Sequence, residues 1–166
     1  MMRQGPGSTP PLGFTRMPAF IWITNHRMWK VVEPFSESWD VLKAYVTDPC
    51  AYVYWSTPRF QNEIKVGDAA YIFRTVDRQG VVARGVVEEA PRHLASTTVG
   101  LFAFPDRLTP PGWDEAVAPS SWKTGIRIER TFWDEPVYDS LRPAQGGVSR
   151  LSEDELKGIE GEIAGR

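Results

Sequence analysis

The chain is poor in the residues that build metal centres and staples. It has one cysteine, Cys50, and two histidines, His26 and His93. A lone cysteine excludes an intramolecular disulfide and fits a reducing, cytoplasmic compartment. One Cys with two His also excludes a four-ligand Cys/His zinc site within one chain. No apolar run approaches the about 20 residues of a membrane span, and the N-terminus lacks the apolar core of a signal peptide. An excess of charge is missing too. Nineteen basic against twenty-one acidic residues leave −2, which excludes a strongly basic, histone-like chain. No Walker-type phosphate loop occurs, and neither histidine lies in a nucleophile elbow. Cys50, behind Pro49 at the start of an apparent strand, reads as a small buried residue rather than a thiolate nucleophile. No cofactor is implied.

What the chain does have is aromatic: seven Trp, five Tyr and eight Phe in 166 residues. With 42% apolar and 24% charged residues it reads as one globular domain, residues 19–166, behind an arm. Residues 1–18 carry four prolines and three glycines and bury little, so they read as a disordered arm.

Ala19–Thr24 is a β-rich run that predicts a core strand ending in the polar turn Thr24-Asn25-His26. Ser36 caps a predicted helix to about Thr47, with Trp39, Leu42 and Val46 on one stripe. Asp48-Pro49 ends it. Ala51–Trp55 predicts a second strand, running into the polar loop Ser56–Asn62. Val66-Gly67-Asp68 is a turn before the strand Ala69–Arg74, and a turn at Asp77–Gly80 leads to the strand Val81–Val87. Gly85 within that strand predicts a bulge or a close approach. From Ala90 to Ser121 five prolines break the pattern, and no regular element is predicted apart from a short apolar run at Val99–Phe104. Thr124–Phe132 alternates as a half-buried strand. Ser152 and Glu155 form a capping box for a last helix to about Ala164, with Leu151 placed to staple Leu156. Strands outnumber helices and most connections are short. The expected class is α+β: a mainly antiparallel small β-barrel with two or three flanking helices.

Acid–base chemistry has one foothold, His26 at the end of the first strand. It would serve a PUA-like enzyme or a small-molecule or nucleotide site at the barrel mouth. Binding has more support. A flat heteroaromatic base needs aromatic walls for stacking and a polar group to read its edge. Two strand ends offer that mix, Trp22-Ile23-Thr24-Asn25-His26 and Tyr54-Trp55-Ser56-Thr57-Pro58. If they meet, Trp55 forms a wall and Asn25 reads an edge. The competing reading places Trp22 and Trp55 in the core.

The run Trp55-Ser56-Thr57-Pro58 with Asn62, then Val66-Gly67-Asp68, Tyr71–Arg74 and Val81–Val87, resembles the EVE domain. So does the tail, Gly125–Thr131, Glu135-Pro136-Val137 to Leu141, and the closing helix. The resemblance covers about residues 19–163. That family is PUA-like, with a fold close to the YTH readers of methylated adenine. It implies a β-barrel with a concave pocket for a modified base, methylated cytosine or adenine, in DNA or RNA, and a link to restriction or RNA modification. The partner would be nucleic acid and not a membrane, with any nuclease or modification activity on a separate subunit. Trp55 would be a cage wall, Ser56 would offer backbone groups to the exocyclic amine, and Asn25 would read the ring edge beside Thr24 and Trp22. For the second wall Phe102, Phe104, Trp113 and Trp122 compete. A duplex base must be flipped out to enter such a pocket.

Residues 1–110 carry 12 basic and 10 acidic side chains, +2, and residues 111–166 carry 7 and 11, −4. The basic bias lies with the proposed pocket. Arg27 and Arg59, which follow the two strand ends, and Lys30, Arg74 and Arg84 are candidates for a phosphate track.

Overall fold

The computed structural model describes residues 17–24, 52–75, 77–94, 102–103, 121–143 and 147–166, with residues 24, 52–54, 94, 102–103 and 121, and so the candidate wall Phe102, described by their backbone only. The expected arm up to residue 16, the Ser36–Thr47 helix and the segments holding Asn25, His26, Cys50, Phe104 and Trp113 lie outside the described residues.

Seven strands form one sheet. They are β1 (Ala19–Thr24), β2 (Tyr52–Ser56), β3 (Ala69–Arg74), β4 (Gly80–Leu94), β5 (Phe102–Ala103), β6 (Ser121–Thr131) and β7 (Val148–Arg150). Their order is β5-β2-β6-β4-β3-β1-β7. All neighbours are antiparallel except β1 and β3, which run parallel with Ala19 opposite Ala69 and Thr24 opposite Arg74. The long stretch between Thr24 and Ala69 gives the chain room for that crossover.

β3 and β4 form the predicted hairpin. The Val66-Gly67-Asp68 turn before it has a chemical reason. Gly67 takes a φ of +94°, which favours glycine. The buried Asp68 carboxylate accepts the Lys65 N–H at 2.8 Å, and the Gly67 N–H donates to the Val87 carbonyl, tying the turn to β4. Gly85 marks both a bulge and a close approach: the register shifts beside it, and a Cβ there would lie 2.3 Å from the Arg127 carbonyl oxygen. One boundary differs from expectation. β4 does not stop at Val87 but runs through Pro91 to Leu94. The register shifts between Glu89 and Arg92 place the proline in a bulge, where its missing N–H costs no ladder bond.

Trp22 and Thr57 demonstrate the curl. Three strands separate β1 from β2, about 19 Å in a flat sheet at ~4.8 Å per step. Yet the Trp22 indole N–H reaches the Thr57 hydroxyl at 3.4 Å. The loop after β2 also reaches the β7 edge, where Arg59 donates to the Val148 carbonyl at 3.1 Å. The sheet is a curled half-barrel.

Each face has its own core. The concave face holds Phe20, Trp22, Trp55, Ile64, Ile72, Val82, Ile126 and Trp133. The convex face holds Ile21, Tyr71, Phe73, Val81, Leu141, Ile159 and Ile163. The latter is covered by α1 (Glu153–Ala164), the single α-helix among the described residues. Ser152 caps α1 with the full capping box: its hydroxyl accepts the Glu155 N–H, and the Glu155 carboxylate accepts the Ser152 N–H at 2.8 Å. The architecture is the expected α+β, barrel-like class.

Candidate functional site where two strand ends meet

Strand alternation decides which side chains share the concave face. Trp55 pairs in register with Thr124, and Ser56 with Lys123. Paired residues point the same way and neighbours along a strand point oppositely. Trp55, Thr57, Thr124 and Trp122 therefore face inward, while Ser56 and Lys123 face outward.

Thr57 is the node. It is fully buried, as is Thr124. Its hydroxyl donates to the Trp55 carbonyl at 3.0 Å, accepts from the Trp22 indole at 3.4 Å, and lies 2.6 Å from the Thr124 hydroxyl. One hydroxyl carries one proton and two lone pairs. With the Thr57 proton on Trp55, Thr124 donates and both lone pairs are filled. The Thr57 N–H donates to the Trp122 carbonyl at 2.8 Å, and the Gln61 amide donates to the Thr57 carbonyl at 3.0 Å. Every polar group of Thr57 is used in locking the end of β2 to β1 and β6. No charge takes part in this junction.

The two strand ends singled out from the sequence thus come together. Trp22 is fully buried and Trp55 is 5% exposed, both in the concave core with Phe20, which is where the competing reading placed them. Ser56 is exposed at the rim. Phe60, next along the loop, has a φ of +64°, an uncommon left-handed conformation for a bulky residue, and stacks at a tilt on Phe20 with centroids 5.7 Å apart.

The candidate phosphate residues separate. Arg59 is exposed near the junction, with its guanidinium 5.8 Å from the Phe60 ring centroid. Arg74 is buried, its Nε donating to the Arg78 carbonyl at 2.7 Å, and burial lowers its pKa. Arg84 lies on the convex face, bonded to Glu160 of α1 at 2.8 Å and to Glu129 at 3.0 Å. Burial opposes its charge, but Glu160 and Tyr71 more than offset this and its pKa is raised. Two carboxylates already neutralise it, so it stands apart from any track at the junction. Arg27 and Lys30 lie outside the described residues.

Sequence reasoning missed Thr57 as a hub, and Thr124 and Lys123 altogether. Threonine in a Trp-Ser-Thr-Pro run gives no sign of partners 35 and 67 residues away. Among the described residues no group of His, Cys, Asp and Glu could hold a metal ion, and no helix is long and apolar enough to cross a membrane.

The curled sheet with its flanking helix is a small α+β, barrel-like fold. No family model matches the sequence, and no curated protein matches it significantly. Solved structures do. Human THYN1, an EVE/PUA-like protein solved in complex with 5-methylcytosine containing DNA, superposes with a TM-score of 0.53 at 10% identity, over 87% of this chain and 96% of that one. A Pseudomonas putida protein matches with a TM-score of 0.50 at 9% identity, over 86% and 97% of the two chains. A hypothetical protein from Leishmania major gives 0.50 at 15% identity, over 91% and 98%. At these identities the likeness is one of fold.

Proposed function

We propose that this chain is a non-enzymatic, DNA-binding reader of a modified base, taking up one flipped methylated base where the ends of β1 and β2 meet. The observation that carries the reading is the Trp22–Thr57–Thr124 junction, which holds those two ends together. It is supported by the shared fold of THYN1, whose structure contains 5-methylcytosine DNA. In this reading Trp55 supplies the aromatic wall, Ser56 its backbone groups, and Asn25, next in sequence after β1, the edge-reading amide. Arg59, in the loop after β2, is an exposed cation beside the junction. A restriction or modification partner, where one acts, is a separate chain.

Extrusion costs a few kcal/mol, which stacking of about 1–3 kcal/mol per base and the edge bonds must offset. The methyl group adds about 0.8 kcal/mol when buried, or roughly fourfold in affinity. The test is a calorimetric titration with duplexes that differ in one methyl group. The wild type should prefer the methylated duplex by about fourfold or more. Asn25→Ala and Trp55→Phe should reduce that preference with the fold intact by circular dichroism. Equal affinity for both duplexes in the wild type would refute the reading.

A further inference from the structure

We propose that the paired ends of β4 and β6 form a DNA-contact edge beside the junction, where Trp122 stacks on an unmodified base flanking the modified one and Lys123 meets the sugar–phosphate chain. This rests on the reading above for the identity of the polymer.

Trp122 is 41% exposed, the one exposed large aromatic among the described residues, whereas Trp22 and Trp55 are buried. It stands edge-on to His93, with centroids 5.9 Å apart and an interplanar angle of 84°. Its carbonyl is fixed to Thr57, so the indole is anchored to the junction without being enclosed by it. An indole open to this degree suits stacking against one neighbour rather than walling a cavity.

Lys123 follows on the other face of the strand, in register with Ser56 on one side and Arg92 on the other. The other convergent cations are matched: Arg84 with Glu129 and Glu160, Arg127 with Glu88, Arg150 with Glu63, and Arg92 with Glu89 at 3.1 Å. Among the described residues no carboxylate lies within ion-pair distance of Lys123, although its side chain is half-buried. Burial acts on it, lowering its pKa. A half-desolvated ammonium with no counter-charge gains most from an incoming anion, and a phosphate oxygen is the anion DNA brings. A strand crossing the end of β6 would meet the indole on one side and the ammonium on the other.

The test is fluorescence anisotropy with methylated and plain duplexes over a salt series, using Trp122→Ala and Lys123→Gln with folding checked by thermal melts. Lys123→Gln should weaken both duplexes alike and reduce the slope of log affinity against log salt by about one. Trp122→Ala should weaken both by about fivefold or more with the methyl preference unchanged. Wild-type affinity and salt slope in both variants would overturn the proposal, as would a Trp122→Ala loss confined to the methylated duplex, which would make the indole a pocket wall. If the wild type lacks a methyl preference but both variants still weaken binding, the edge stands and the modified-base reading falls. If the wild type binds RNA but no DNA, both fall.

Discussion

The two faces of the half-barrel solve the burial of polar groups in different ways. On the convex face the solution is charge. Tyr71 donates to Glu160, Glu160 holds Arg84, Arg84 reaches Glu129, Glu129 meets Arg127 at 3.7 Å, and Arg127 binds Glu88 at 2.5 Å. The ladder crosses β3, β4 and β6 and ties the sheet to α1. On the concave face the strand junction is neutral, made of one indole, two hydroxyls and backbone carbonyls. The ladder neutralises its own charges and leaves little for a ligand. The neutral junction fixes two strand ends without adding charge, and Lys123, with no carboxylate partner among the described residues, sits next to it on the outward face at the end of β6. The difference separates the part of the molecule that holds the fold from the part suited to contact a polyanion.

The comparison can be broken from either side. The largest effect should come where both faces share backbone. Gly85→Ala puts a methyl group against the Arg127 carbonyl, and backbone cannot step aside. It should cost about 3 kcal/mol in urea unfolding. Next is the junction. Thr57→Val keeps the shape but strips the Trp22 indole and Thr124 hydroxyl of their shared partner, and should cost about 2 kcal/mol. The convex ladder should be cheaper to break, because Arg84 and Glu160 are more than a third exposed. Glu160→Gln should cost about 1 kcal/mol or less, and added salt should shrink that difference.

A pH titration sharpens the contrast further. Burial, then the hydrogen bond and charge of Glu160, raise the Tyr71 pKa well above the ordinary phenol value. In the unfolded chain the phenol ionises near pH 10, while in the folded chain it keeps its proton. The unfolded state therefore loses the proton first, and the contribution of Tyr71 is complete below about pH 10 and falls away as pH rises further. Tyr71→Phe should flatten the alkaline limb of the stability profile, whereas Thr57→Val should lower the whole profile without changing its shape.

Local chemistry was readable in the sequence. The Ser152 capping box, the turn at Gly67, the β3–β4 hairpin and the special role of Gly85 all follow from residue types within a few positions of one another. Long-range partners were not. Arg84 reads as a free cation because Glu129 and Glu160 lie 45 and 76 residues away. Thr57 reads as a loop residue because the curl that brings Trp22 to it belongs to the whole sheet. Pro91 hid the second half of β4, since a proline signals a break unless a bulge absorbs it. Composition marked the ends of β1 and β2 as alike, but whether they meet depends on the curl, and nothing local signals the Thr57 hydroxyl that joins them to each other.

The most direct measurement follows indole N–H resonances by NMR while a duplex with one 5-methylcytosine is added. The account predicts a large ring-current shift at Trp55, with Trp22 little changed because Thr57 pins it, and a smaller response to the unmethylated duplex. A Trp55 resonance that stays still at saturating DNA, with shifts confined to residues remote from the junction, would contradict it.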